Sequence, residues 1–181
     1  MAGIPTIETE RLILRGVEAG DFDTHAAMWA DPEVTRFIGG RAFTREESWA
    51  RFLRHVGMWQ LLGFGSWVVT DKANGERLGA AGFHDLKREL EPNLEGTLEA
   101  GWAFVPRAHG RGVATEAMAA ALGWADANLP DMRVTCLIAP QNLTSLRVAE
   151  KLGFKEFART DYHGSEVVLM ERASSACASD T

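Results

Sequence analysis

Residues 99–115 read EAGWAFVPRAHGRGVAT, and this stretch decides the architecture because it joins a strand to a helix through a glycine-rich turn. An apolar run over residues 97–105 predicts the strand, and Pro106, which has no N–H for a sheet ladder, ends it. From Ala114 onward, apolar side chains recur on one helical stripe, at Ala117, Met118, Ala121, Leu122 and Ala125. The sequence therefore predicts a buried strand, a tight turn and an amphipathic helix in succession.

The turn at residues 107–115 has the chemistry of an anion site. Gly110 and Gly112 let a ligand approach the backbone, and the first amides of a helix have no partner within it. The helix dipole favours an anion there, and Arg107 and Arg111 could neutralise phosphate charge. A diphosphate fits this site. R-x-x-G-x-G is nevertheless a common pattern. An ordinary strand-to-helix turn that contains glycines and solvated arginines therefore stays open as the alternative.

Other nucleotide motifs are missing from the sequence. It has no G-x-x-x-x-G-K-[ST] and no G-x-G-x-x-G at an N-terminal strand, so neither nucleoside triphosphates nor dinucleotides are indicated.

The segments before residue 97 predict two helices and an antiparallel hairpin. Pro32 is expected to close the first helix, and the capping-box pattern that begins at Thr44 opens the second. Asn74-Gly75 is a strong hairpin signal between two apolar runs. The predicted elements are a strand at residues 11–15, a helix at 21–29, a helix carrying the apolar stripe Trp49, Phe52, Leu53, Val56 and Trp59, and strands at 65–70 and 78–84.

The segments after the central helix predict a strand, a helix and a closing hairpin. Asn142 is expected to cap the helix and Gly153 to end it. The strands are predicted at residues 133–138, 155–162 and 167–171. The sum is a mixed α/β fold, with antiparallel hairpins on both sides of one parallel crossover.

Composition narrows the class of protein. The 181 residues suit one domain at 1–172, and the Ala- and Ser-rich residues 173–181 are expected to form a disordered tail. A net charge of -6 with scattered Lys and Arg argues against direct nucleic-acid binding. No metal-type Cys or His spacing, signal peptide or long apolar window is present, so we expect no metal, no membrane association and a cytoplasmic protein.

Three blocks of the sequence together resemble the GNAT superfamily of N-acetyltransferases. They are residues 99–106, EAGWAFVP; residues 107–117, RAHGRGVATEA; and residues 142–154, NLTSLRVAEKLGF. With IETERLILR at residues 7–15, the likeness is greatest to the RimJ/RimL-like branch that acetylates the N-termini of ribosomal proteins. The resemblance covers about residues 7–172. It implies a single-domain fold with a mostly antiparallel sheet of six to seven strands, a splayed parallel pair and about four helices.

The resemblance also implies a coenzyme A site. In the family, the central strands separate after Phe104-Val105, where backbone groups bind the pantetheine arm and polarise the thioester, and amides around residues 111–115 hold the pyrophosphate. The implied cofactor-binding residues are Phe104, Val105, Arg107, Gly110, Arg111, Gly112, Val113, Ala114, Thr115, Asn142 and Ser145. Asn142 has a second interpretation as an ordinary helix cap.

Two catalytic residues follow from the same resemblance. Glu99 matches a recurrent acidic position and is expected to act as general base on the amine, directly or through water. Ser145 is expected to protonate the departing thiolate, because it matches the family's motif position on the helix that follows Asn142. Many relatives use a tyrosine instead, which residues 151–157 lack. The alternatives are a solvated strand carboxylate at Glu99 and a local backbone hydrogen bond at Ser145.

Substrate-side residues are expected at His84, Trp102 and Tyr162, with a core position as the alternative for Trp102 and packing on the sheet as the alternative for Tyr162. His84 is also an alternative base, although a lone histidine more often satisfies a local hydrogen bond. The predicted activity is acetyl transfer from acetyl-CoA to a primary amine by direct attack, with a protein or peptide N-terminus favoured as acceptor. Antibiotic, polyamine or metabolite amines, and a non-catalytic acyl-CoA sensor, stay open. The sequence allows a homodimer without requiring one.

Overall fold

Short apolar runs separated by turn residues form one mixed sheet. The computed structural model describes residues 3–173, so the predicted tail lies almost entirely outside the described residues. The eight strands of this part are β1 (Ile7–Glu8), β2 (Leu12–Arg15), β3 (Ser66–Asp71), β4 (Arg77–His84), β5 (Leu98–Phe104), β6 (Val134–Ile138), β7 (Phe154–Tyr162) and β8 (Ser165–Arg172). Their order is β1-β2-β3-β4-β5-β6-β8-β7; β5 and β6 pair in parallel, and the other neighbours pair antiparallel.

The helices of residues 3–173 include two that begin after the capping residues that the sequence indicates, Thr44 and Asn142. The α-helices are α1 (Phe22–Trp29), α2 (Pro32–Thr35), α3 (Arg45–Leu62), α4 (Val113–Asn128) and α5 (Leu143–Lys151). The capping box before α3 is complete, since Thr44 Oγ1 accepts from the Glu47 amide at 3.2 Å and the Glu47 carboxylate accepts from the Thr44 amide at 2.8 Å. Gly63, at φ 74°, ends this helix in the left-handed conformation.

Two short elements were not predicted. Pro32 does not merely follow the first helix but opens α2, because Asp31 caps the Glu33 amide at 2.8 Å and proline suits the first helical position. β1 has two residues, too few to show a period. The sheet therefore has eight strands and the chain five α-helices within residues 3–173, slightly more than expected, while the mixed architecture is confirmed.

The two faces of the sheet have different chemistry. Alternation along each strand sends Phe83 and Ala100 to the face covered by α4, where the main hydrophobic core includes Met118. His84 and Glu99 are paired across β4 and β5 and point to the opposite face. We call the face that carries His84 and Glu99 the acceptor face; α1 and α3 pack against it.

Helix α3 turns a different side to the sheet than its apolar stripe predicts. Phe52 is buried as expected, but Trp49, Leu53 and Val56 are each about half exposed, at 45%, 50% and 47%. Ser48, at helical spacing from Phe52, is fully buried. The sequence predicts that the aromatic members of the stripe, Trp49, Phe52 and Trp59, are core; Phe52 is buried and Trp59 packs partly buried against the main core, but the prediction is wrong for Trp49. A polar side chain, Ser48, takes an inward position on α3.

Two kinds of feature are absent from residues 3–173. No helix within residues 3–173 is long and apolar enough to cross a membrane. The same residues contain no group of three or more His, Cys, Asp or Glu side chains arranged to hold a metal ion.

Candidate active site

The parallel strands β5 and β6 separate soon after they meet. Their register contains only Leu98 with Val134 and Glu99 with Thr135, although β5 continues to Phe104. The Leu98 amide donates to the carbonyl of Arg133, which is on the β6 side, at 2.9 Å. Because strand residues alternate in direction, the amides of Trp102 and Phe104 also point toward β6, from which β5 has diverged. The sheet thus opens a cleft lined by main-chain groups.

The last residues of β5 use their backbone groups in ways that the sequence did not predict. The Val105 amide donates to Leu78 O, and its carbonyl accepts from the Ala108 amide, both at 2.9 Å. The Val105 amide is therefore not free for a ligand in this structure, whereas its carbonyl keeps a second lone pair. The cofactor role of Val105 stays a prediction. The Phe104 carbonyl is within 2.9 Å of His109 Nε2. The amides that face the opening belong instead to Trp102 and Phe104.

The turn into α4 has the geometry of an anion site. Gly110 and Gly112 adopt positive φ values of 71° and 77°, a conformation that favours glycine. The first α-helical bond of α4 runs from the Glu116 amide to Gly112 O at 3.0 Å. The amides of residues 113–115 precede that bond and lie at the positive end of the helix dipole.

An unpredicted pair of residues clamps this turn. Arg11, at the start of β2, donates to the carbonyl of Arg111 at 2.9 Å and through Nε to the Glu116 carboxylate at 2.7 Å. Thr9 Oγ1 donates to the other Glu116 oxygen at 2.6 Å. Arg11 belongs to the IETERLILR block, so its place in that block was the available signal. The N-terminal strand therefore fixes the carbonyl of the turn and the first turn of α4.

The two arginines predicted to meet phosphate differ in their surroundings. Arg107 forms an ion pair with Glu76 at 2.6 Å and donates to the carbonyl of Arg77 at 3.1 Å, so its guanidinium turns to the β3–β4 hairpin. Arg111 is exposed and forms no ion pair with another described residue. The Arg107 pair is half exposed and could be exchanged for a phosphate at small cost. Both phosphate roles stay predictions.

On the acceptor face, Glu99 is buried and paired. Arg88 donates from Nε and Nη2 to the two carboxylate oxygens, each at 2.7 Å, and from Nη1 to the Tyr162 hydroxyl at 3.0 Å. The Arg88 guanidinium also lies over the Tyr162 ring, 5.0 Å from its centroid. The alternative of a solvated strand carboxylate at Glu99 is therefore wrong, since this side chain is only 9% exposed. Each oxygen keeps a second acceptor position for an amine or a water.

His84 adjoins this pair. Its Nε2 lies 2.9 Å from Ser66 Oγ, and its ring covers Gly101, where a Cβ would come within 2.9 Å of His84 Cε1. Burial first, and then the Arg88 charge, lower the pKa of His84 to about 4. The imidazole is therefore neutral near pH 7, and Gly101 provides its space.

A family model described as an acetyltransferase (GNAT) domain matches residues 11–155, a range that includes the cleft, the turn and Glu99. The chain belongs to the GNAT family. It is therefore an acyl-CoA-dependent N-acyltransferase, as the sequence predicts.

Solved and curated proteins agree with this assignment. A protein described as a GnaT-family acetyltransferase from Bordetella pertussis is 36% identical, with a TM-score of 0.83, and the match covers 93% of this chain and 99% of that one. An uncharacterized N-acetyltransferase, p20, from Bacillus licheniformis is 27% identical over 92% of each chain. A ribosomal L7/L12 alpha-N-protein acetyltransferase, RimL, solved with coenzyme A, shares the fold at 14% identity, with a TM-score of 0.75 and coverage of 95% and 99%.

In the GNAT fold of this chain, Asn142 and Ser145 lie at the start of α5. The Ser145 amide donates to Asn142 Oδ1 at 3.1 Å, so Asn142 caps the helix as predicted. That bond leaves the Asn142 amide nitrogen and the half-buried Ser145 hydroxyl for other partners. The proposed roles of both side chains toward the cofactor stay predictions.

Trp102 takes its alternative position, in the core, and not the predicted substrate-side position. Its side chain points to the same face of β5 as those of Ala100 and Phe104, and it packs partly buried against the main core. His84 and Tyr162 are both near Glu99 on the acceptor face, so the structure brings these two predicted substrate-side residues together but not Trp102. Strand alternation explains the difference, because Trp102 is an odd number of residues from Glu99.

Arginine side chains on the acceptor face of this GNAT domain were missed. Arg51, from α3, lies over the rings of Trp29 and Phe43, at 4.4 and 4.5 Å from their centroids. Arg54 is one helical turn further along α3 and, with Arg88, repels Arg51. Nothing in their local sequence separates these arginines from solvated ones, because their partners come from distant segments.

Proposed function

We propose that this GNAT protein transfers an acetyl group from acetyl-CoA to a primary amine, with a peptide or protein N-terminus as the favoured acceptor. One observation carries the proposal: Glu99 occupies the last position at which β5 and β6 still pair, so its carboxylate lies where the cleft opens. A thioester held in the cleft by main-chain groups would meet an amine that reaches it from the acceptor face. The sequence resemblance to the RimJ/RimL-like branch supports a peptide N-terminus as acceptor.

The chain has groups for each part of the reaction. Amides of residues 111–115, in the turn that Arg11 clamps, would bind the pyrophosphate, and the β5 amides would bind the pantetheine arm and the thioester oxygen. Glu99 would accept the proton of the amine, directly or through a water. The amine nitrogen then bonds to the acyl carbon, the C–S bond breaks, and the Ser145 hydroxyl protonates the thiolate. Ser145 regains a proton from solvent, to which Glu99 releases the proton that it accepted.

Positioning supplies much of the rate enhancement in this scheme. An amine and a thioester held together react without a covalent enzyme intermediate, since the free amine is itself the nucleophile. An α-amino group has a pKa of about 8, so the need for a base is greatest below that pH.

Coenzyme A release tests the activity. The full chain is incubated with acetyl-CoA and a panel of N-terminal peptides, aminoglycosides, spermidine and amino acids, and free thiol is measured. We expect thiol release with at least one peptide. If acetyl-CoA binds but no acceptor yields thiol, the non-catalytic sensor replaces the enzyme; if only small amines react, the peptide acceptor is wrong.

The base is tested with Glu99→Gln, and Glu95→Gln in the exposed loop is the matched control. We expect kcat of the Glu99 variant to fall about 100-fold, most strongly below pH 8, with the KM for acetyl-CoA within about twofold of wild type. Because Glu99 also holds Arg88, melting curves must show that both variants are folded at the assay temperature. An unchanged pH-rate profile would remove Glu99 from the mechanism.

A further inference from the structure

The acceptor face carries more positive than negative charge, although the whole chain has a net charge of -6. Arg51, Arg54 and Arg88 contribute three guanidinium groups there. Among the described residues, Glu99 is the one carboxylate that forms an ion pair with any of the three. Arg51 and Arg54 therefore form no ion pair with a carboxylate in the described part of the chain, although Glu47 is near enough to attract Arg51.

Arg51 is held in place by rings rather than by a carboxylate. Its guanidinium lies over Trp29 and Phe43, whose own rings stack with centroids 5.6 Å apart, and its side chain is half buried. Trp29 packs in a cluster with Ala103, on the acceptor face of β5. Cation–π contacts leave the N–H edge of the guanidinium to meet an anion.

The three arginines are close enough to repel one another. Burial, and then repulsion from Arg54 and Arg88, lower the pKa of Arg51 to about 10. The same three charges act on His84, beside Glu99. Helical spacing puts Arg51 and Arg54 on one side of α3.

Unpartnered polar atoms border the same region. His55 Nδ1 and Trp29 Nε1 are buried and have no hydrogen-bond partner among the described residues. Buried polar atoms are normally paired, so these atoms favour a site that binds a polar ligand or water over a packed core.

We infer that the amine acceptor carries a carboxylate close to its amine, which binds at Arg51 and Arg54. The inference rests on the proposed function and names the acceptor class: a peptide with Asp or Glu just after its N-terminal residue. The carboxylate compensates the repulsion that the arginines exert on the incoming ammonium group. Those arginines in turn favour the neutral, nucleophilic amine beside Glu99. A polyamine lacks the compensating anion and is disfavoured.

The test compares matched peptides that begin Ala-Glu, Ala-Gln and Ala-Lys, with alanine, alanine amide and spermidine as small acceptors. For wild type we expect kcat/KM to fall about tenfold from the Glu to the Gln peptide and further for the Lys peptide and spermidine. If kcat/KM for alanine also exceeds kcat/KM for alanine amide, the arginines bind an α-carboxylate in addition to a side-chain carboxylate. Equal values for the Glu and Gln peptides, and for alanine and its amide, would overturn the inference.

Charge reversal at exposed Arg54 provides the decisive variant. In Arg54→Glu, we expect kcat/KM for the Lys peptide to exceed kcat/KM for the Glu peptide. The control is Arg45→Gln, on the same helix but paired with exposed Asp23, which should leave the order of the kcat/KM values unchanged. An unchanged order in Arg54→Glu would contradict the inference. If no acceptor releases thiol, the proposed function fails by itself; calorimetry on the CoA-saturated chain then decides the inference, with tighter binding of the Glu than the Gln peptide supporting it and equal affinity overturning it.

Discussion

The proposed cofactor cleft between β5 and β6 and the acceptor face present different chemical groups to a ligand. The cleft is lined by main-chain groups of β5 and of the α4 turn, which one contiguous stretch of 17 residues supplies. The acceptor face is lined by side chains from α3, β4, the β4–β5 loop, β5 and β7. A main-chain site can bind the same cofactor while side chains change, whereas a side-chain site can change its substrate with a few substitutions. We therefore expect coenzyme A chemistry to be fixed by the fold and acceptor choice by the arginines.

The largest expected effect on either region comes from replacing Arg88, on the acceptor face. Arg88→Met leaves the Glu99 carboxylate buried without its partner, and we expect the free energy of unfolding to fall by about 3 kcal/mol. Urea unfolding measures it. The matched control, Arg133→Met, removes an exposed partner of Glu171 and should cost less than about 1 kcal/mol. Equal costs for the two variants would show that the acceptor-face pair behaves as a surface pair.

A double variant distinguishes the cost of leaving the buried Glu99 charge unpaired from the loss of the ion pair itself. Arg88→Met with Glu99→Gln removes both charges, so much of the lost stability should return. A double variant less stable than Arg88→Met would contradict this account.

The buried histidines of the acceptor side give a pH dependence. Burial, as the largest cause, lowers the pKa of His25 and His55 to about 3 and of His84 to about 4, from the ordinary 6.5. Below pH 6.5 the unfolded chain binds protons that the folded chain does not, so stability is full above that pH and falls as the pH drops toward 4. Each histidine contributes a slope of up to about 1.4 kcal/mol per pH unit.

Urea midpoints at pH 7.5, 6 and 5 measure the slope. His84→Gln should reduce it by one histidine's share, while His163→Gln, at the exposed β7–β8 turn, should not. A wild-type midpoint that is constant from pH 7.5 to 5 would show that these histidines are not held neutral by the fold.

The smallest expected effect comes from replacing Asn142, near the proposed cofactor cleft. Asn142→Ala removes the cap of α5 and should cost about 1 kcal/mol, whereas Asn142→Asp keeps an oxygen for the Ser145 amide and should cost little. If the Asn142 amide also binds the pantetheine arm, both variants raise the KM for acetyl-CoA. A raised KM in the alanine variant alone would leave capping as the role of Asn142.

Prediction from the sequence was most accurate where the signal is local. The strand–turn–helix at residues 99–128, the capping box at Thr44 and the Asn74-Gly75 hairpin depend on neighbours in sequence, and the structure confirms them. Prediction was poorer for α3, whose inward side depends on the sheet it meets. The apolar residues Trp49, Leu53 and Val56 show the same period whether or not they face the core.

The sequence alone determined the mixed fold, the GNAT family and the glycine turn, because each is encoded by contiguous residues and by backbone conformation. Only the tertiary structure showed that Glu99 is paired with Arg88, that Arg11 clamps the turn and that Arg51 and Arg54 line the acceptor face. Glu99 and Arg88 are 11 residues apart and Arg11 and Arg111 are 100 apart. Such pairings follow from how the strands and helices pack in three dimensions, which no local pattern records.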